Sequence, residues 1–262
     1  MNRALDGRVA VVTGGASGIG EACARDMAAR GARLVIADIN EELAQRVAAD
    51  LKGAIHARLD VTSVEETEVL AERVAREIGP VDILVASAGV LQPPLPPEEL
   101  PMAVWDRVVA VDQRGVYVSN VAFGKRMAQR GQGTIVNIAS VTTFRSTPLH
   151  AYGPAKAAVA SITAGLAAEW GRSGVRVNAI APGYVATPAL QAAIDDGKRD
   201  PAALMENSAF GRLVGVEEVA KACSFLVSDD ASGITGVTLP VDAGWLVATP
   251  WNTYGGVPPK RS

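Results

Sequence analysis

The stretch VAVVTGGASGIG, residues 9–20, decides the fold. A β-branched run, Val9–Thr13, passes without a spacer into a glycine-rich turn, and an Ala-rich stretch of helical periodicity begins at Gly18. The glycines fall as TGxxxGxG, at 14, 18 and 20, rather than as GxGxxG. Glycine there permits a tight turn and close backbone approach, and the following helix points its first N–H groups at an anion such as a pyrophosphate. A structural glycine-rich turn shares this composition. The nucleotide reading gains from Asp38, which ends the second strand eighteen residues past Gly20. A carboxylate at that place accepts both adenosine ribose hydroxyls and repels a 2′-phosphate. Its competing role is helix capping, because Glu41 stands three residues on, in capping-box spacing. The glycine turn carries no Arg or Lys, and Arg33 starts its strand at the far end, so NAD is expected over NADP.

Outward from this turn, short apolar runs alternate with longer amphipathic ones. The expected strands are Val9–Thr13, Arg33–Ala37, Ala54–Leu59, Asp82–Ala86, Thr134–Ala139, Val175–Ile180 and Val237–Val241. Near-continuous apolar runs of this length suit parallel strands covered on both faces. The expected helices are Gly18–Arg30, Glu41–Leu51, Val64–Ile78, Met102–Arg130, Tyr152–Arg172 and Val216–Val227. Such alternation predicts a doubly wound α/β sheet. No linker or repeat divides the chain, so residues 1–262 read as one domain. Two segments break the rhythm: the Pro-dense, extended Gln92–Pro101, and Gly183–Gly215, with a weak helical pattern around Ala189–Ile194. A connection that long is usually a lid or binding segment, and the lid is expected at 188–210.

Composition excludes several classes. The 262 residues are 48% hydrophobic and 20% charged, which supports a large core rather than disorder. A net charge of −3, with no basic block beyond Lys260-Arg261, gives no footprint for nucleic acid or a membrane surface. Apolar runs such as Val81–Val90 are too short to span a bilayer, and MNRALDG lacks the apolar core of a secretion signal. Two Cys (Cys23, Cys223) and two His (His56, His150) suit neither a disulfide framework nor a zinc cluster. A cytoplasmic protein without metal is expected.

Ser140 follows the fifth strand, and Tyr152 and Lys156 share a helix face at i and i+4. An ammonium beside a phenol favours phenolate, which makes the tyrosine a general base, while Ser140 is placed to hydrogen-bond the reacting oxygen. An isolated Tyr–Lys pair is ordinarily a surface feature; its position after a nucleotide fold gives it meaning. With TGGASGIG at 13–20, Asp38, Asp60-Val61, Ala88-Gly89, Ser140, YxxxK at 152–156, Pro182-Gly183 and VDAG at 241–244, the chain resembles the short-chain dehydrogenase/reductase family over nearly its whole length. The resemblance implies a Rossmann-type seven-stranded parallel sheet, hydride transfer between alcohols and carbonyls, a small-molecule substrate and a homotetramer. Carried over by position, it implies cofactor contacts at Gly14, Ser17, Gly18, Ile19 and Gly20, at Asp38 and Ile39, and at Asp60 and Val61 beside the adenine. It implies others at Ser87, Ala88 and Gly89, at Pro182, Gly183, Val185 and Thr187 near the nicotinamide, and at Tyr152 and Lys156 on its ribose.

Three departures from the family pattern stand out. Asn-Asn-Ala-Gly reads Ala86-Ser87-Ala88-Gly89; the fourth catalytic residue, an Asn, is Asp112; and Ser140 precedes Tyr152 by twelve positions, one fewer than is commonest. In the family the Asn holds a water through its backbone carbonyl, which Asp112 keeps, but its carboxylate is able to pair Lys156. The catalytic set is therefore Ser140, Tyr152, Lys156 and Asp112. The cysteines read as core, His150 and Arg145 as loop residues with a possible substrate role, and the apolar positions of Met102–Arg130 as core and subunit interface. Residues 245–262 hold Trp245, Trp251 and Tyr254, a quarter of the twelve aromatics, and are expected to dock over a pocket. The reading is an NAD-dependent dehydrogenase for a secondary alcohol such as a polyol, sugar or hydroxy acid. An NADPH-type 3-oxoacyl thioester reductase and a catalytically silent NAD-binding regulator remain as alternatives.

Overall fold

The first strand shows why the apolar runs are unbroken. Val9 and Val11 of β1 (Val9–Thr13) pack into one core layer, Ala10 and Val12 into another, because successive residues point to opposite faces of a sheet covered on both sides. The computed structural model describes residues 4–258. Beside β1 lie β2 (Arg33–Asp38), β3 (Ile55–Arg58), β4 (Ile83–Ala86), β5 (Gly133–Ile138), β6 (Val175–Pro182) and β7 (Thr238–Val241). All pair in parallel, in the order β3-β2-β1-β4-β5-β6-β7. This is the Rossmann-type doubly wound sheet, with the strand order reversing between β1 and β4. His56 therefore stands half-buried on the edge strand β3.

One core layer packs α1 (Gly18–Ala29), α2 (Glu41–Asp50) and α9 (Val216–Val227) on the sheet through residues such as Met27, Val47 and Leu226. The opposite layer packs α3 (Val64–Glu77), α5 (Val116–Arg130) and α6 (Tyr152–Trp170) through Leu70, Phe123 and Ala167. Phe123 is fully buried; covering a side chain of that kind contributes about 1.5–3 kcal/mol. Cys23 and Cys223 meet without exposure where α1 crosses α9, and their hydrogen bond, together with burial, pushes the Cys223 thiol well above its ordinary value. Both are core residues, as expected.

The expected helix Met102–Arg130 is three pieces. After α4 (Met102–Val108) comes a π-helical turn, Val109–Gly115, and only then α5. Ser119 Oγ donates to the Gly115 carbonyl at 2.8 Å and Asn120 Nδ2 to that of Val116 at 2.7 Å, so carbonyls beside the widened turn keep partners. Trp170, at the end of α6, lies against Gly124 of α5. The long connection after β6 holds α7 (Pro188–Asp195), capped by Thr187, and the unexpected α8 (Pro201–Glu206), capped by Asp200. A short α10 (Trp245–Ala248) and a 3₁₀ segment, Thr249–Tyr254, close the described chain; residues 259–262 of the aromatic segment lie outside it. No helix among the described residues is long and apolar enough to cross a membrane.

Candidate active site

At the carboxyl ends of the strands, where the order reverses, two cavities adjoin, as open α/β sheets generally arrange. The first is a groove of about 370 Å³ over the glycine turn. Gly14 has φ +65°, and a Cβ there would stand 2.6 Å from the Ala88 backbone, so only glycine lets the turn close on the β4 loop. Ser17 N-caps α1 without spending its side chain on the cap, which leaves hydroxyl and helix N–H groups facing the groove.

Asp38 lies at the far end of the groove. Its Oδ2 accepts from the Ala16 N–H at 3.1 Å and its Oδ1 from the Asn40 N–H at 2.9 Å. The α2 cap is Asn40, which accepts from the Leu43 N–H at 3.1 Å, so the capping role falls two residues away from Asp38. Asp60 accepts from the Thr62 N–H and hydroxyl, and these hold its carboxyl below the usual range. Gly18, Ile19, Gly20, Ile39, Val61, Ser87, Ala88, Gly89 and Thr187 line the same groove. Pro182, Gly183 and Val185 instead line the second cavity, at its border with the first. A glycine cradle, a helix N-terminus and a carboxylate in one groove fit a dinucleotide.

The reactive groups gather where the cavities meet. Tyr152 opens α6 and lines both. Ser140, buried two residues past β5, accepts from the Thr142 N–H at 3.2 Å and lines the second cavity together with Tyr152. The loop between them absorbs the missing residue with a 3₁₀ turn, Val141–Thr143. Lys156 Nζ, 3% exposed, sits 5.4 Å from the Tyr152 ring centroid, donates to the Ile138 carbonyl at 2.9 Å, and lies 3.3 Å from Asp112 Oδ2. The π turn carries Asp112 inward, where its Oδ1 accepts from the Val90 N–H at 2.8 Å. Burial pushes Asp112 above the usual carboxylate range against the pull of Lys156. Burial likewise pushes the Tyr152 phenol up; Lys156 lowers it as the sequence suggested but is outweighed, Asp112 raises it, and Ser140 lowers it.

The second cavity, about 580 Å³, runs from Tyr152 under α7, walled by Leu149, Tyr184, Leu190 and Trp245. Tyr184 and Trp245 meet edge to face, centroids 5.9 Å apart. Trp251 and Tyr254 are exposed, so of the tail aromatics only Trp245 reaches a pocket of its own chain. His150 does not line either cavity, and exposed Arg145 reaches only the Leu246 carbonyl. Sequence reasoning missed Gln92, Thr142, Thr147 and Arg199 in the second wall and Arg107 in the groove. Among the described residues no cluster of His, Cys, Asp or Glu could hold a metal ion.

A family model described as enoyl-(acyl carrier protein) reductase matches residues 14–246. The chain belongs to the short-chain dehydrogenase/reductase family. It is 42% identical to cis-4-hydroxycyclohexanecarboxylate dehydrogenase of Sinomonas cyclohexanicum, over 94% of this chain and 99% of that one. It is also 42% identical to D-threitol dehydrogenase of Mycolicibacterium smegmatis, over 93% and 94%. A crystal structure described as ribose-5-phosphate isomerase from Brucella melitensis 16M is 47% identical, with a TM-score of 0.95 over 98% and 100%. The chain is an oxidoreductase that interconverts secondary alcohols and ketones with a nicotinamide cofactor.

Proposed function

We propose an NAD-dependent dehydrogenase for a hydroxylated substrate in which Tyr152, Lys156 and Ser140 form the catalytic set. The observation that carries this is the convergence of the Tyr152 phenol, the Lys156 ammonium and the Ser140 hydroxyl where groove and cavity meet. Bound cofactor supplies the hydride acceptor or donor. Tyr152 takes the carbinol proton in oxidation and returns it in reduction. Ser140 donates to the substrate oxygen as it gains negative charge. Lys156, anchored on the Ile138 carbonyl, holds the nicotinamide ribose and favours phenolate by its charge. Asp38 supports NAD, because its carboxylate repels a 2′-phosphate and no cation lies in the glycine turn to offset it.

Residues 188–210, with α7 and α8, act in this reading as a lid over the second cavity. The curated relatives' cyclic hydroxy acid and linear polyol frame the substrate range, and a cavity of about 580 Å³ accommodates either. The nucleotide cradle has no role in an aldose–ketose isomerisation, which moves no hydride to a cofactor, so the isomerase name of the Brucella chain is not extended to this one. The test is a steady-state assay with NAD and NADP against cis-4-hydroxycyclohexanecarboxylate, threitol and galactitol. NAD is expected to be preferred, and Tyr152→Phe to lower kcat/KM by about 10²–10⁴-fold. No turnover in either direction with any of them would count against this substrate range and favour the silent-regulator alternative, and preference for NADP would remove the role given to Asp38.

A further inference from the structure

Four buried side-chain polar atoms among the described residues lack a hydrogen-bond partner, and all belong to residues lining the two cavities. Asp112 Oδ2 has the Lys156 ammonium beside it. The remaining three, Gln92 Nε2, Thr142 Oγ1 and Thr147 Oγ1, belong to the second cavity. Buried polar groups are ordinarily paired, and three orphans around one cavity mark a surface built to be completed by a ligand.

Gln92 is the most constrained of them. It is 4% exposed and followed by Pro93 and Pro94, whose rings restrict the backbone that presents it. Its Oε1 accepts from the Ala151 N–H at 2.7 Å and the Tyr152 N–H at 3.1 Å. Both partners are donors, so only the amide oxygen can face them. Nε2 is then left with two unused N–H groups in the wall that also holds Tyr152 and Ser140. Nε2 itself donates and cannot accept, and a simple secondary alcohol, its oxygen engaged by Tyr152 and Ser140, would leave it unpaired.

We propose that Gln92 is a substrate-binding residue, and that the substrate carries a second oxygen, beyond the reacting carbinol, that accepts a hydrogen bond from Gln92 Nε2. The proposal rests on the dehydrogenase reading of this cavity. Thr142 and Thr147 extend the polar wall with hydroxyls that both donate and accept. The accepting oxygen is a hydroxyl or a carboxylate. Arg199, half-buried on the same cavity and without an ion-pair partner among the described residues, suits the carboxylate.

The test compares cyclohexanol, the cyclohexane-1,2-, 1,3- and 1,4-diols and 4-hydroxycyclohexanecarboxylate as substrates with NAD. A site that hydrogen-bonds a substrate oxygen rejects the analogue lacking it, and the best oxygenated compound is expected to exceed cyclohexanol in kcat/KM by at least about thirtyfold. A diol in first place assigns the partner as hydroxyl, the hydroxy acid as carboxylate, and either supports the proposal. Gln92→Glu keeps an acceptor for the Ala151 and Tyr152 N–H groups but removes the donor. It should reduce the preference for the oxygenated compound over cyclohexanol to within about threefold. Thr142→Val, which leaves the anchor of α6 untouched, should lower the same ratio. Cyclohexanol turned over as well as every other compound, or a preference unmoved by Gln92→Glu, overturns the proposal. Titration of tryptophan fluorescence, with Trp245 in the cavity wall, reads binding of the same compounds without turnover. Tight binding of an oxygenated compound that is lost in Gln92→Glu, with no turnover, would sink the dehydrogenase reading and keep this one. Equal binding of all five would sink this one.

Discussion

Asp112 is fully buried between Gly89, Val90 and Lys156, and its charge acts on Tyr152, the proposed general base. Its carboxylate raises the Tyr152 phenol, while Lys156 lowers it. Asp112→Asn removes the raising influence and keeps the backbone carbonyl, so the phenol should ionise at lower pH. In the proposed mechanism alcohol oxidation depends on phenolate, so the rising limb of the pH profile of kcat/KM should move downward, with activity at the optimum kept within about tenfold. A loss of several orders of magnitude at every pH would show that the carboxylate itself is required. At this scale the sequence was legible wherever function lies in spacing: TGxxxGxG, Asp38 and YxxxK are each placed by a strand or helix end that periodicity reveals. Gln92 was not legible. Its orientation is set by N–H groups 59 and 60 residues further along the chain, and nothing local in a Pro-rich connection signals them.

At the scale of elements, strands announced themselves because covered strands need apolar residues on both faces, whereas the break in Met102–Arg130 left no mark. A π turn adds one residue to the helical count and shifts the apolar stripe by too little to show in seven residues. The local hints were an Asp at 112 on an apolar stripe and a Gly at 115, where a Cβ would meet Val61. The α8 start had a signal, Asp200 before Pro201, but the helix is only one turn and a half, too short for periodicity to reveal. The chain's return from α8 to the core is tied by Glu218, which accepts from Arg212 and from the Gly215 N–H at the start of α9. Chiefly the Arg212 bond, then that N–H, lower the Glu218 carboxyl to about 2. The native protein thus holds this proton less tightly than the unfolded chain. The contribution is complete above the ordinary carboxylate value and disappears as pH falls toward about 2. The pair is solvent-exposed, so Glu218→Gln should lower Tm by no more than about 2–4 °C at pH 7, and the difference from wild type should shrink on acidification through pH 4. A difference that grew in acid would contradict this assignment.

For the whole molecule, family membership makes a homotetramer the expected assembly, with α5 and α6 outward; Tyr117 on α5 is half exposed. Light scattering should give four chain masses, and a monomer at micromolar concentration would refute it. The tail is tied to the end of α8 by Asn252 Nδ2, which donates to Asn207 Oδ1 at 2.5 Å, and it lends Trp245 to the cavity. A chain ending at Gly244 should therefore raise KM about tenfold, the loss of one good buried contact. Unchanged KM and assembly would show the aromatic segment to be idle. The reversal of strand order between β1 and β4 has one more consequence, for descent rather than chemistry. Apart from shared residues at the border, the groove is lined mainly by the chain before Gln113, and the cavity mainly by the chain after Gly133. The helix α5 between them lines neither. A genetic crossover within α5 would hand the cofactor groove, together with Gln92, from one parent and the rest of the substrate wall from the other to a single offspring, letting much of the two traits diverge separately on one inherited scaffold.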